Sequence, residues 1–243
     1  MPSAVEIYRA TKPAPRADFV FTCEHASNAL PEHVSVNGAD RQLLDAHWGW
    51  DIGAADVTRH LVEKCGSVGL LSTHSRLWVD CNREPEWDSW IVREIDGHRL
   101  SFNEALNAEE KAVRRREYFD PFHETVDRTI RENHHPDLWL ISIHSFTKVY
   151  QGQQRDLEIA VLFDTYEEEA QTLGRALAAP GFHVQLNEPY SGKEGLIYSI
   201  HRAGTKFGLR CVELEVRQDL VQTKETATVI ADALFAALQC LLP

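Results

Sequence analysis

Four apolar segments of this 243-residue chain run into side chains that can hold a metal, move a proton or bind an anion. Phe19–Cys23 leads into Glu24-His25-Ala26-Ser27-Asn28. Residues 76–80 lead into Cys81-Asn82-Arg83, and residues 137–143 into His144-Ser145. The segment from Leu209 closes on Glu213-Leu214-Glu215-Val216-Arg217-Gln218-Asp219. Histidine can be a metal ligand or an acid–base group. A carboxylate can serve as a general base, and the planar fork of arginine suits a carboxylate ligand. Each piece also has a plainer reading. His25 could be a satisfied buried histidine or a helix-cap partner. Asp80 and Arg83 could form a local ion pair in a turn, and Glu213 and Glu215 could lie on a solvated strand face. His144 stands apart, because a strand buried on both faces has little reason to end in His-Ser unless those side chains meet a cavity. Glu213 and Glu215 alternate with Val212, Leu214 and Val216, so they share one face. Charged groups gathered in this way perturb each other's pKa values and mark candidate sites.

The pattern around these residues predicts the elements that hold them. Phe19–Cys23 is a short, aromatic-rich strand. Residues 38–64 read as helix, with Gly49 and Gly53 placed to break it in two. Strands are expected over 67–73, 76–80, 137–143, 157–163, 182–186 and 209–216. A helix over 108–133 opens on an Asn107–Glu110 capping box. Another runs from a Thr165 cap to about 178, and a last one covers 222–241. Residues 1–17 read as an irregular lead-in, 84–106 as a long loop rich in tryptophan and charge, and 187–195 as a turn-rich loop. Strands alternate with helices throughout, which predicts one α/β domain over residues 1–243: a three-layer α/β/α arrangement around a mostly parallel or mixed sheet. Ligands of such sheets bind outside the carboxyl ends of strands, where the four candidate segments lie.

Composition narrows the function. Hydrophobic residues make up 43% of the chain and charged residues 26%, an ordinary globular balance. The formal net charge of −12 opposes nucleic acid and anionic lipid as partners. An anionic substrate would then need fixed arginines close to the site. Five scattered cysteines without a C-x-x-C pair read as thiols of a reducing compartment. No apolar run approaches the 18 or so residues of a membrane span, and the first residues lack the apolar core of a secretory signal. A cytoplasmic protein is the expectation.

These motifs together resemble the N-formylglutamate amidohydrolase family, and more distantly the zinc carboxypeptidases and aspartoacylase-type deacylases. The likeness runs from about Phe19 to Leu220. It rests on the segment at His25, the run Arg76…Asp80-x-Asn82-Arg83, His144-Ser145, the loop Asn187-x-Pro189-Tyr190-x-Gly192, and Glu215-x-Arg217-Gln218-Asp219. The Asp-x-Asn-Arg run and the Glu-x-Arg-Gln-Asp ending are the more specific of these. The resemblance implies a zinc-carboxypeptidase-like fold and one zinc per chain, held by His25, His144 and a carboxylate. The related His-x-x-Glu motif has Asn28 in place of its glutamate here, and asparagine is a poor zinc ligand. Asp51 is therefore the expected third ligand, with Glu24 as fallback. The resemblance further implies Glu215 as general base and Arg76 or Arg83 at the oxyanion. Asn82, Arg83, Arg217 and Tyr190 would bind a small anionic substrate, N-formyl-L-glutamate being the best match.

Overall fold

The computed structural model describes residues 3–85 and 87–243. Seven strands form the central sheet: β1 (Val5–Arg9), β2 (Phe19–Cys23), β3 (Val68–Ser72), β4 (Trp139–Phe146), β5 (Ile159–Leu162), β6 (Val184–Leu186) and β7 (Arg210–Arg217). Their order is β1-β3-β2-β4-β7-β5-β6. β3, β2, β4 and β7 run parallel, β1 joins antiparallel at one edge, and β7 meets β5 antiparallel. The sheet is thus mixed, around a parallel centre. Seven helices flank it: α1 (Gly38–Asp45), α2 (Ala54–Cys65), α3 (Ala108–Arg114), α4 (Asp120–Asn133), α5 (Glu167–Ala178), α6 (Tyr198–Phe207) and α7 (Lys224–Leu238).

Period-two alternation sorts the strands' side chains into two cores. Phe19, Phe21, Ile141, Ile143, Val212 and Leu214 face the layer of α2, α5 and α7. Val20, Leu140 and Cys211 face the layer of α4 and α6. Glu213 and Glu215, in register with Ser142 and His144, therefore fall on the α4–α6 face of the sheet. The strand order also reverses between β2 and β4, since the chain passes from β2 outward to β3 and returns to β4 on the other side. The crevice at the carboxyl ends of β2 and β4 is the switch point at which open α/β sheets bind ligands.

Several expectations need correction. Residues 1–17 are not wholly irregular, because Val5–Arg9 pairs with β3 as an edge strand. Residues 76–80 form turns rather than a strand; their apolar side chains pack into the core without a pairing partner. The helix over 108–133 is interrupted by a π-type turn at Arg115–Phe119. Thr165 does not cap α5, whose N-cap is Tyr166 without a side-chain bond. The helix α6 occupies residues between the 187–195 loop and the 209–216 strand, where the sequence pattern predicts no element. The Asn107–Glu110 capping box is present, and the 38–64 stretch divides into α1 and α2 across the two glycines. A two-stranded ribbon lies inside the 84–106 loop, turning at Asp96 and Gly97, whose φ values are 49° and 80°. A second ribbon turns at Gln151 and Gly152, with φ of 50° and 77°. Positive φ at both central residues suits the primed turns of tight hairpins.

Candidate active site

His25 follows β2 and His144 lies within the last three residues of β4, which runs on to Phe146 rather than stopping at residue 143, so neighbouring parallel strands deliver the two imidazoles side by side, ring centroids 4.6 Å apart. Asp51 reaches them from the turn before α2. That turn depends on close backbone approach at both ends. A Cβ on Gly49 would stand 2.2 Å from Leu44 O, and one on Gly53, at φ +83°, 2.1 Å from Val221 O. The Asp51 amide donates to His25 O at 2.9 Å, and its Oδ2 accepts from the Ser145 amide at 3.1 Å. The Nδ1 atoms of His144 and His25 lie 2.8 and 3.5 Å from that same Oδ2. Ligand atoms of His25, Asp51 and His144 all fall within 4.8 Å of one another, with all three residues buried.

The other ring nitrogens point to carboxylates. Nε2 of His25 is 2.7 Å from Asp80 Oδ1, and Nε2 of His144 is 3.1 Å from Glu24 Oε2. Glu24 is itself fixed by the Ser142 hydroxyl at 2.6 Å. A carboxylate on the far nitrogen is what sets the tautomer and orientation of a metal-ligating histidine. His25 Nδ1 is buried with no hydrogen-bond partner among the described residues, a costly state unless a cation or proton engages it. The donor set, two nitrogens and one carboxylate oxygen with the second nitrogens already held, fits a zinc-type cation. Among the three carboxylate-or-amide candidates for the third ligand, Asn28 is turned away and donates to Asp45 at 2.9 Å. Glu24 holds His144 from behind. Asp51 alone faces both Nδ1 atoms.

Electrostatics point the same way. Burial would push His144 down, but Glu213, Asp51 and Glu24 outweigh it and hold the imidazole well above its ordinary pKa. Burial would raise Glu24, yet His144, Ser142 and Ser199 bring it to about 2. Asp51 and Asp80 are also depressed against the penalty of burial, Asp51 by the two histidines and Asp80 chiefly by His25 and Arg76. Glu213 and Glu215 go the other way. Burial pushes each up to about 7, with Asp51 adding to the rise of Glu215 and the neighbouring Glu215 and Glu24 to that of Glu213. Buried Glu24, Asp51, Asp80, Glu213 and Glu215 outnumber Arg76 and Arg83, the arginines among the described residues that line the cavity, so the cluster favours additional positive charge. A second group of donor atoms, from His144, Glu213 and Glu215, also lies within 4.8 Å.

A cavity of about 400 Å³ opens onto these residues. Arg76 lines it, paired with Asp80 at 3.0 Å and lying 3.7 Å from Asp51. Arg83 lines it too, donating to the carbonyls of Asn82 at 2.8 Å and Leu196 at 3.2 Å. Of the other expected residues Asn82, Tyr190 and Glu215 also line it, with Glu213 beside them. Two residues expected at the substrate are engaged within the protein. The Asn82 amide donates to Glu213 at 3.1 Å and Leu196 O at 3.2 Å and accepts from the Ser199 amide at 3.0 Å. It therefore locks Arg83 and Glu213 in place. Arg217 turns away from the cavity: it pairs with Asp219 at 2.6 Å and donates to the carbonyls of Asp156 and Leu157. Those carbonyls precede β5 and lack ladder partners, which is why an arginine at the end of β7 is drawn to them. Sequence reasoning missed Asp80 as the partner of His25. Its place two residues before Asn82, in a run already singled out, was the available signal. It also missed the aromatic wall of the cavity, Trp48, Phe146 and Tyr150; these come from three separate places, the turn between α1 and α2, the end of β4 and the ribbon turning at Gln151 and Gly152, so no single pattern marks them.

A mixed sheet with helices on both faces, and imidazoles and carboxylates at its switch point, defines a three-layer α/β architecture with a candidate metal centre. Residues 17–222 match the N-formylglutamate amidohydrolase family, and the chain belongs to that family of amidohydrolases. It is similar to the crystal structure of a gene product from Agrobacterium tumefaciens, at 29% identity and a TM-score of 0.88, over 98% of this chain and 95% of that one. It shares its fold with an N-formylglutamate amidohydrolase from Ralstonia eutropha, at 14% identity and a TM-score of 0.74, over 98% and 97%. No curated protein matches the chain. No helix among the described residues is long and apolar enough to cross a membrane.

Proposed function

We propose that this family member hydrolyses the amide bond of a small, carboxylate-bearing N-acyl amino acid in a zinc-dependent reaction. N-formyl-L-glutamate, giving formate and glutamate, is the first candidate. The observation that carries the reading is the convergence of the His25 and His144 Nδ1 atoms on Asp51, with a carboxylate holding each far nitrogen. One zinc per chain would be held by His25, His144 and Asp51. When bound, such a cation supplies Lewis acidity for the amide carbonyl and makes a water more acidic.

The protein's own groups supply the remainder. Glu215 is buried in the cavity wall with Oε2 unpartnered among the described residues, and burial raises its proton affinity to suit exchange near neutrality. It takes a proton from the attacking water as the new C–O bond forms. It returns that proton to the amide nitrogen as the C–N bond breaks, releasing the acid and the amine. Arg76, held by Asp80, faces the developing oxyanion. Arg83, braced by Asn82, reads a substrate carboxylate through a bidentate fork.

The test combines metal analysis of the purified protein with a hydrolysis screen over N-formyl and N-acetyl derivatives of glutamate and aspartate. About one zinc per chain and amine release from at least one substrate are expected. A zinc-loaded protein that cleaves none of them would overturn the reading.

A further inference from the structure

One side of the cavity is apolar, and cleavage of a formyl group makes no use of it. Phe146 follows His144 by two residues on β4, so both side chains leave the same face of the strand. Trp48 precedes Asp51 in the turn that Gly49 and Gly53 hold against Leu44 and Val221. Tyr150 stands on the ribbon turning at Gln151 and Gly152. All three rings line the cavity, with Tyr190 beside them. The ring centroids of Trp48 and Tyr150 are 6.5 Å apart. Phe146 is buried, while Trp48, Tyr150 and Tyr190 keep part of their surface open. Arg155 holds this wall together: its guanidinium carbon lies 4.7 Å from the ring centroid of Tyr150, 5.6 Å from Tyr190 and 5.8 Å from Phe146. Rings fixed before a ligand arrives lose little freedom on binding it.

Strand register sets an order along the cavity. Glu213 pairs with Ser142, Glu215 with His144 and Arg217 with Phe146. Asn82 is tied to the first of these levels through Glu213, and it shares Leu196 O with Arg83. His144 and Glu215 form the second level. Phe146 opens the third, about 6.6 Å further along the strand at two residues' rise. Arg83 and the aromatic wall therefore flank the reaction centre from opposite sides.

We propose that the acyl group of the preferred substrate is aromatic: an aroyl ring lies against Trp48, Phe146 and Tyr150, while Arg83 holds the carboxylate of the amino acid. The inference rests on the proposed amide hydrolysis and names the acyl half of its substrate; N-formyl-L-glutamate shares only the amine half. A carbonyl carbon beside His144, with its amine half towards Arg83, turns its acyl half towards Phe146. A formyl group carries only hydrogen there and leaves the rings uncovered. An aroyl ring covers them, and both ring–ring contact and burial of apolar surface favour the complex. Water adds to the carbonyl carbon and the C–N bond breaks, so the products are an arenecarboxylic acid and the free amino acid.

The experiment compares kcat/KM of the zinc-loaded protein for N-benzoyl-L-glutamate and N-formyl-L-glutamate. N-formyl-L-phenylalanine is the arm that puts the ring on the amine half. Calorimetry compares binding of two sulfonamide analogues that resist hydrolysis, N-benzenesulfonyl-L-glutamate and N-methanesulfonyl-L-glutamate. Wild-type protein should favour the ring-bearing glutamate derivative of each pair by roughly tenfold or more. Tyr150→Ala should lower both preferences by roughly threefold or more, and Tyr150→Phe, which keeps the ring, should restore them. Melting temperature and zinc content show whether each variant stays folded and loaded. The proposal fails if N-formyl-L-glutamate is cleaved as well as N-benzoyl-L-glutamate, or if Tyr150→Ala leaves the ratios unchanged. It fails equally if N-formyl-L-phenylalanine is the substrate whose cleavage depends on Tyr150. Absence of turnover on every substrate, with a Tyr150-dependent preference for the benzenesulfonyl analogue in calorimetry, would reject the hydrolysis and keep the aromatic subsite.

Discussion

Asp80 Oδ1 lies 2.7 Å from Nε2 of His25 and accepts the Asn82 amide at 2.8 Å. One carboxylate thus orients an imidazole and fixes the backbone that carries Arg83, while its second oxygen holds Arg76. Removing its charge should loosen the proposed metal before anything else. Asp80→Asn is expected to weaken zinc affinity by roughly 10–100-fold, the usual worth of a carboxylate behind a ligating histidine. Competition against a chromophoric chelator reads this directly, and an unchanged dissociation constant would separate Asp80 from the metal.

The three donors should be distinguishable from Glu24, which touches His144 only at Nε2. His25→Ala, His144→Ala and Asp51→Ala should each lose stoichiometric zinc. Glu24→Gln, which can still bond the imidazole, should retain it with reduced affinity. Metal retained at full occupancy in Asp51→Ala, and lost in Glu24→Gln, would exchange the two roles.

Glu213 and Glu215 share a strand face, but their surroundings separate them. Glu213 accepts from Asn82 and lies 3.4 Å from His144 Nε2. Glu215 keeps a buried oxygen without a partner. Glu215→Gln should keep fold and metal while lowering kcat by roughly 10²–10⁴-fold, with little change in KM. Glu213→Gln should act more weakly, through Asn82. A base must be deprotonated to work. Burial lifts Glu215 to about 7, and a bound cation opposes that rise, so kcat/KM should climb with pH along a limb centred at or below about 7. An activity that instead falls as pH rises from 5 to 7 contradicts the role of Glu215.

How much of this was legible in the sequence differs by element. Three of the four apolar runs that lead to the site are buried strands, and the polar residues at their carboxyl ends lie at the crevice; the fourth, residues 76–80, forms turns instead. Asp51 could be named only through the family likeness. Its approach to His25 depends on Gly49 and Gly53, and no periodicity encodes that turn. For Asn82 and Arg217 the family likeness alone implies a role at the substrate. What decided their fate was the supply of unpaired groups nearby, Leu196 O and the Ser199 amide for one, the carbonyls before β5 for the other.

Acid stability offers a test away from the chemistry. His123 is buried on α4 among Phe119, Phe122 and Tyr198, and His74 is buried beside Tyr118 and Cys81. Burial, aided in His123 by the Arg202 cation, lowers His123 to about 3 and His74 to about 4. Both rings are therefore neutral in the folded protein, while in the unfolded chain each takes up a proton near 6.5. Above that value they have no effect on the pH dependence of stability. Below it the unfolded state binds more protons, so stability falls with pH by about 1.4 kcal/mol per unit for each histidine, until the folded values near 4 and 3 are reached. Between pH 6.5 and 5 that amounts to about 2 kcal/mol apiece. His123→Phe, which suits the aromatic surroundings and cannot titrate, should remove its share of the slope. Urea unfolding of wild type and variant at pH 7.5 and 5 measures the difference. Equal losses in the two proteins would show that His123 does not enter the acid transition.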